Sequence, residues 1–299
     1  AMPGISRRKK GDHFIYITPT GEHIEDDQTL TRIRSMVIPP AWEQVWISPK
    51  SNGHLQATGI DTKNRKQYRY HTKWNAIRSE TKFFRMAAFG KVLPLLRERL
   101  NKDLKQRILT REKVIAIALS VMEQTLIRVG NATYEKEYGS YGLTTLKDRH
   151  VKTEGHGVRF SFKGKKGVYH DISLQDRRLA RLVKACRDIP GKELFQYFDD
   201  EGNRHPIDSG MVNEYLQETM GDDFSAKDFW TWAGTVNALQ LLIELEPSKS
   251  NKELKSNVNA VLDQVSKQLG NTRTVCRKHY VDPQVVDACE WQDLSPYCV

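Results

Sequence analysis

Near residue 80 the apolar residues change their spacing, and that change limits what the chain can build. Before it, short stretches such as Phe14-Ile-Tyr-Ile-Thr18, Gln44-Val-Trp-Ile-Ser48 and His54-Leu-Gln-Ala-Thr58 alternate or are apolar throughout, bounded by Gly, Pro, Asn and Asp. A period of two between turn residues predicts strands. Pro39-Pro40 stops any helix entering from residues 30–36, because proline has no N–H to donate and its ring crowds the preceding turn. After residue 80, Phe83, Phe84, Ala87, Ala88, Val92, Leu95, Leu96 and Leu100 recur at helical spacing, interrupted by Pro94. Residues 111–128 then carry Val114, Ile115, Ala118, Val121, Met122 and Leu126 on one face, and Arg128 ends that predicted helix.

One stretch breaks the helical pattern. Val158-Arg-Phe-Ser-Phe162 and Val168-Tyr-His-Asp-Ile172 alternate and are joined by Lys163-Gly-Lys-Lys-Gly167, which predicts a β-hairpin with a basic tip. Helical spacing resumes over 175–187, 208–218, 226–244 and 251–269, with Asp208 or Ser209, and Ser225, as N-caps. The fold class is α+β: a small β-rich N-terminal domain over 1–80, then a larger, mainly α-helical catalytic domain over 81–299 that holds the hairpin.

Composition narrows the partner. Of 299 residues, 47 are Lys or Arg and 37 are Asp or Glu, a formal charge of +10. Such an excess favours a polyanion, since each phosphate neutralised releases condensed counterions. No run of about 18 apolar residues predicts a membrane span, and residues 1–14 lack the apolar centre of a secretory signal. Cys186, Cys276, Cys289 and Cys298 follow neither CxxC nor zinc-site spacing. They read as free thiols of a cytoplasmic protein.

The chain has no P-loop, HExxH, GxSxG or clustered acidic set for Mg²⁺, so the reading requires no metal and no cofactor. Cutting a phosphodiester by that route takes a side-chain nucleophile, with cations or donors around the non-bridging oxygens of the transition state. Four segments could supply these groups: Thr125-Leu-Ile-Arg-Val-Gly-Asn131, the hairpin tip with Lys165, Ala226-Lys-Asp-Phe-Trp-Thr-Trp232, and Gly270-Asn-Thr-Arg-Thr-Val-Cys-Arg-Lys-His-Tyr280. Each alone also fits a plain role: a solvated arginine, a solvated turn lysine, a packing tyrosine.

Together they resemble the type IB DNA topoisomerases, in the small bacterial and poxvirus-like branch. The resemblance runs in one order along nearly the whole chain. Ile38-Pro-Pro-Ala-Trp42, Gly53-His-Leu-Gln-Ala-Thr58, Asn64-Arg-Lys-Gln-Tyr-Arg-Tyr-His71 and Thr81-Lys-Phe83 are similar to the family's N-terminal domain. Arg128-Val-Gly-Asn131, Gly142-Leu-Thr-Thr-Leu-Lys147, Lys227-Asp-Phe229 and Cys276-Arg-Lys-His-Tyr280 are similar to its catalytic domain.

The resemblance implies ATP-independent relaxation of supercoiled duplex DNA through a 3′-phosphotyrosyl intermediate on Tyr280. Arg128 would stabilise the scissile phosphate, Lys165 would protonate the leaving 5′-oxygen, and Asn271 would donate to a non-bridging oxygen. Arg65, Lys66, Gln67, Tyr68, Arg69, Tyr70, Tyr134 and Lys147 are candidate DNA contacts, with Gln67 and Tyr68 reading a groove. Arg65, Lys66 and Arg69 would touch phosphate. The partner would be duplex DNA in the nucleoid, clamped by a monomer hinged near residues 78–82. Trp42, Trp46 and Trp74 are expected in the core.

One residue departs from the family pattern. Trp230 stands where Lys-Asp-Phe-Arg-Thr-Trp would place a second phosphate-binding arginine. Trp offers one neutral N–H, and loss of a transition-state arginine in phosphoryl transfer costs about 10³–10⁵ in rate. Strongly reduced cleavage is therefore expected. Trp230 itself would be explained by an introduced substitution, by natural decay into a binding protein, or by compensation from Arg273 or Arg277 that preserves cleavage. The alternatives are a catalytically inactive duplex-binding clamp of the same fold and a tyrosine recombinase, although recombinases open with a helical domain and this chain opens with strands.

Overall fold

The computed structural model describes all residues except 1, 12, 63, 65, 222, 223, 247, 249 and 291–299, together with the side chains of 75–81 and 290. Arg65 and Cys298 lie outside the described residues. The chain divides into two compact units, residues 1–82 and 83–299.

The first unit is a five-stranded antiparallel sheet with one short helix. Its elements are β1 (Ile5–Lys10), β2 (His13–Ile17), α1 (Asp27–Ser35), β3 (Glu43–Ile47), β4 (Leu55–Ile60) and β5 (Lys66–Tyr70), in spatial order β2-β1-β3-β4-β5. Asp26 caps α1 through the Thr29 N–H, and the helix ends ahead of Pro39-Pro40. Ile5, Ile33, Val45, Ile47 and Ala57 form its core. The Ile38-Pro-Pro-Ala-Trp42 segment has a structural purpose. Arg7 donates to the carbonyls of Ile38, Pro39, Pro40 and Trp42 and lies 4.2 Å from the Phe14 ring centroid. Trp42 packs against the core and Trp46 donates to the Met2 carbonyl, but Trp74 is 40% exposed beside His54. The expectation of a core Trp74 is corrected.

The boundary between units falls inside α2 (Thr72–Asp103), which begins earlier than its periodicity suggests and runs through Pro94. Pro94 is exposed, so losing one intrahelical bond on the solvent side does not end the helix. Next come α3 (Arg111–Thr125), α4 (Ala132–Tyr138), β6 (Val151–Glu154), β7 (Gly157–Lys163), β8 (Tyr169–Leu174), α5 (Arg177–Arg187), β9 (Gln196–Phe198), β10 (Arg204–Pro206), α6 (Ser209–Met220), α7 (Ala226–Ile243), α8 (Asn251–Gln268), α9 (Arg273–His279) and α10 (Pro283–Glu290). The predicted hairpin is β7–β8, and β6 adds a third strand. Strand β6 is only four residues long and mostly exposed, so it carries little hydrophobic signal. Among the described residues, no helix is long and apolar enough to cross a membrane.

Helix α7 explains where the site lies. Phe229 belongs to a core built from α2, α3, α5, α6 and the hairpin sheet, and Trp232 packs against it. Trp230 belongs to a second core shared with α8, α9 and α10. A helix buried on two sides shows no single apolar stripe, so its sequence cannot tell which residue faces which neighbour. Ser225 and Asp228 close a capping box at its start, fixing where Trp230 points.

Candidate active site

Helix α3 ends at Thr125, three residues before Arg128. Leu126 takes a left-handed conformation (φ 55°) and its N–H closes on the Met122 carbonyl, so the expectation that Arg128 ends the helix is corrected. Arg128 instead sits in a segment held by its backbone. Its carbonyl accepts from the Leu143 N–H at 2.7 Å, and Val129 accepts from Thr144. Gly142 makes this possible: a Cβ there would lie 2.6 Å from both the Arg128 oxygen and Gly130 Cα. That is a packing reason for the Gly142-Leu-Thr-Thr sequence.

Four of the expected site residues converge although the sequence separates them widely. Arg128 donates from Nη2 to Asn271 Oδ1 at 2.9 Å, across 143 residues. Its guanidinium carbon lies 4.4 Å from the Trp230 ring centroid, within cation–π range. The Trp230 and Tyr280 rings meet edge to face, with centroids 5.6 Å apart and planes at 64°. Burial holds the Arg128 pKa below the ordinary guanidinium value, an effect that Tyr280 opposes; the group stays charged. Asn271 is itself fixed, its N–H bonded to the Ser266 carbonyl and its amide nitrogen donating to Leu269.

Tyr280 follows α9, its N–H bonded to the carbonyl of buried Cys276. Thr235 on α7 secures the segment beyond it, donating to the Tyr280 carbonyl at 3.3 Å and accepting from the Asp282 N–H at 3.1 Å. Gly234 lets the two backbones approach. A Cβ at 234 would overlap the Tyr280 carbonyl and lie 3.1 Å from Tyr280 Cβ. Gly234→Ala is expected to cost about 1–3 kcal/mol through overpacking. It should also slow any reaction of Tyr280 by about 10²-fold, the penalty of a shift on the order of 1 Å. Thermal unfolding and single-turnover kinetics check the two effects. No local signal marks Gly234, since a helical glycine looks the same whether or not a backbone passes it.

Trp230 is 4% exposed, and its indole Nε1 is buried with no hydrogen-bond partner, as is the Thr231 hydroxyl. An unsatisfied buried donor costs on the order of 1–3 kcal/mol. Of the two arginines considered as compensation, Arg273 forms an ion pair with Asp263 at 3.0 Å, and Arg277 is an exposed residue of α9.

Lys165 is exposed at the hairpin tip, in a short 3₁₀ turn with Lys166 and Gly167. Tyr134 on α4 is 44% exposed beside Tyr138. Lys147 holds two carboxylates, Glu135 at 2.6 Å and Glu193 at 3.0 Å. These partners raise its pKa against desolvation by burial. Its ammonium thus ties α4 to the segment before β9.

In the first unit, β5 alternates. Arg69 pairs with core residue Ala57, and Tyr68 pairs with Thr58, so Gln67 and Arg69 share one face while Lys66, Tyr68 and Tyr70 share the other. Gln67 donates to Asp61, and Arg69 donates to the Val37 carbonyl 5.9 Å from the Trp42 ring. Tyr68, 48% exposed, stacks near Tyr70. A groove contact shared by Gln67 and Tyr68 is thus divided between two faces of the strand. Among the described residues, no three His, Cys, Asp or Glu side chains gather into a metal-holding group.

Comparison with known proteins finds two family matches and several relatives. The family described as "Eukaryotic DNA topoisomerase I, catalytic core" matches residues 71–291, and "Bacterial DNA topoisomerase IB, N-terminal domain" matches residues 13–61. The chain is 32% identical to DNA topoisomerase 1B of Acanthamoeba polyphaga mimivirus, over 94% of this chain and 85% of that protein. It is 22% identical to DNA topoisomerase 1B of vaccinia virus (strain Copenhagen), over 90% of this chain and 82% of that one.

Proposed function

The chain belongs to the type IB DNA topoisomerases, enzymes that act on duplex DNA, and on that premise we propose that Tyr280 is its nucleophile. The phenol oxygen attacks a phosphodiester and gives its proton to solvent, a bond from Tyr280 to the 3′-phosphate forms, and the bond to the 5′-oxygen breaks. Lys165 gives that oxygen a proton. Arg128 and Asn271 carry the charge on the non-bridging oxygens, where preorganised donors matter most. The phosphotyrosine conserves the bond energy, so the released 5′-hydroxyl can reverse the step after the duplex swivels. One observation carries this reading: the Arg128 side chain meets Asn271 across 143 residues of sequence, and Trp230 lies against both Arg128 and Tyr280.

Trp230 makes the cleavage step slow. An indole over Arg128 shields that cation and supplies no second guanidinium. The chain therefore binds duplex DNA as a nucleoid-associated monomer and cleaves it well below the rate of an arginine-bearing site. Lys66, Tyr68 and Tyr134 offer exposed contacts, and Tyr70 a half-buried one.

Trapping on a nicked duplex in EDTA tests the proposal. A covalent adduct should form slowly, with Tyr280 joined to a DNA 3′ end and a free 5′-hydroxyl released. Attachment through another residue, or to a 5′ end, overturns it. A second reading, a clamp that binds without cleaving, is favoured by Trp230 itself; no adduct and no plasmid relaxation at any protein concentration would establish it. Assembly of four chains on DNA would point to recombination instead. Binding should also weaken steeply with salt. If about six phosphates are contacted, affinity drops about 10³-fold between 50 and 200 mM, as a filter-binding titration would show.

A further inference from the structure

We infer that His170 is a positioning residue that seats the Lys165 hairpin on the turn bearing Asn271. The inference rests on the reading of Lys165 as proton donor and adds what holds that lysine in place. His170 lies on β8 opposite Phe162 of β7. The imidazole stacks on the Phe162 ring with centroids 5.1 Å apart and planes at 19°. Two glycines bracket its free edge. A Cβ at Gly164, the residue before Lys165, would lie 2.5 Å from Cδ2 and Nε2, and one at Gly270, the residue before Asn271, would lie 2.6 Å from Cε1. Any side chain at either position would expel the ring, so both backbones are shaped around it.

The ring therefore bridges two catalytic segments that no strand pairing joins. A second strap runs through the backbone: the Tyr141 N–H bonds to the Lys163 carbonyl at 2.8 Å, and Tyr141 precedes the Gly142–Leu143 segment that holds Arg128. The hairpin turn closes on itself through Gly164 N–H to Val168 and Gly167 N–H to Gly164. Its remaining freedom is to rock as a unit about its strands, and the imidazole blocks that rocking at the Gly270 side. Burial, aided by the Arg128 charge, holds the His170 pKa below the ordinary imidazole value. A neutral ring suits a spacer beside a cation.

The test uses leaving-group chemistry. A 5′-bridging phosphorothiolate releases a thiolate, which needs no proton from a general acid. Single-turnover cleavage of ordinary and sulfur-substituted duplexes is compared for the parent chain, His170→Ala, His170→Phe, Lys165→Ala and Arg128→Ala. The series is repeated in a Trp230→Arg background to raise the signal. His170→Ala should slow ordinary DNA by about 10- to 10²-fold and recover to within about threefold of the parent on the sulfur substrate. His170→Phe should retain part of the rate by keeping the stack, and Arg128→Ala should stay slow on both substrates.

Equal slowing of His170→Ala on both substrates, or no slowing, overturns the inference. If sulfur fails to rescue Lys165→Ala, the general-acid reading itself fails, a separate outcome. Hydrogen exchange gives a readout independent of turnover. In His170→Ala the Gly164, Gly167 and Val168 amides should exchange at least tenfold faster while those of α3 keep the parent rate. Unchanged exchange at the tip also overturns the inference.

Discussion

Trp230→Arg should raise the rate of covalent adduct formation by at least 10²-fold, towards the 10³–10⁵ associated with a transition-state arginine. The position is geometrically suited to it. The Trp230 side chain already lies between Arg128 and Tyr280, so a guanidinium projecting from the same point on α7 would approach a phosphate held by both. The gain has a stability cost. The indole belongs to the core shared by α8, α9 and α10, and its loss leaves space that an arginine's methylene stem only partly fills. Two cations would also face each other in the absence of DNA.

Against these, the substitution removes a buried indole N–H that has no partner, returning part of the penalty for an unsatisfied donor. The melting temperature should fall without DNA and recover on adding duplex, because a ligand bound only by the native state stabilises it. Suicide-substrate kinetics and thermal scans with and without duplex check both statements. Equal rates in the two proteins would mean that another cation replaces the missing arginine. For Arg273 that would require leaving its ion pair with Asp263.

Tyr280→Phe should abolish adduct formation while leaving duplex affinity within about threefold and stability within about 0.5 kcal/mol. The phenyl ring keeps the edge-to-face contact with Trp230, and the backbone bonds to Cys276 and Thr235 do not involve the phenol oxygen. The substitution removes the phenol oxygen that would form the phosphodiester. The comparison thus separates chemistry from binding. A residual adduct in Tyr280→Phe would place the nucleophile elsewhere and remove the basis of the proposed mechanism.

Local signals were legible along the chain because they act over a few residues. The change from period two to helical spacing, the Lys163-Gly-Lys-Lys-Gly167 tip, and Asp208 and Ser225 as N-caps depend on dihedral preference and nearest-neighbour hydrogen bonding, and the structure has each of them. The order of segments carrying Arg128, Lys165, Asn271 and Tyr280 was equally readable, since a family resemblance is matched residue by residue along the chain.

Tertiary structure decided what distance along the chain conceals. It ended α3 at Thr125 and left Arg128 to be held by residues 142–144. It gave Lys147 to Glu135 and Glu193, turned Arg69 towards Val37 and Trp42, and placed Gly234 and Gly270 where a methyl group would collide. None of these has a local signature. A charged side chain looks identical in sequence whether a carboxylate or water will meet it, and a glycine does not record what packs against it. Those outcomes depend on which distant segments share a core, and α7, buried on two sides, is the element that brings Trp230, Arg128 and Tyr280 together.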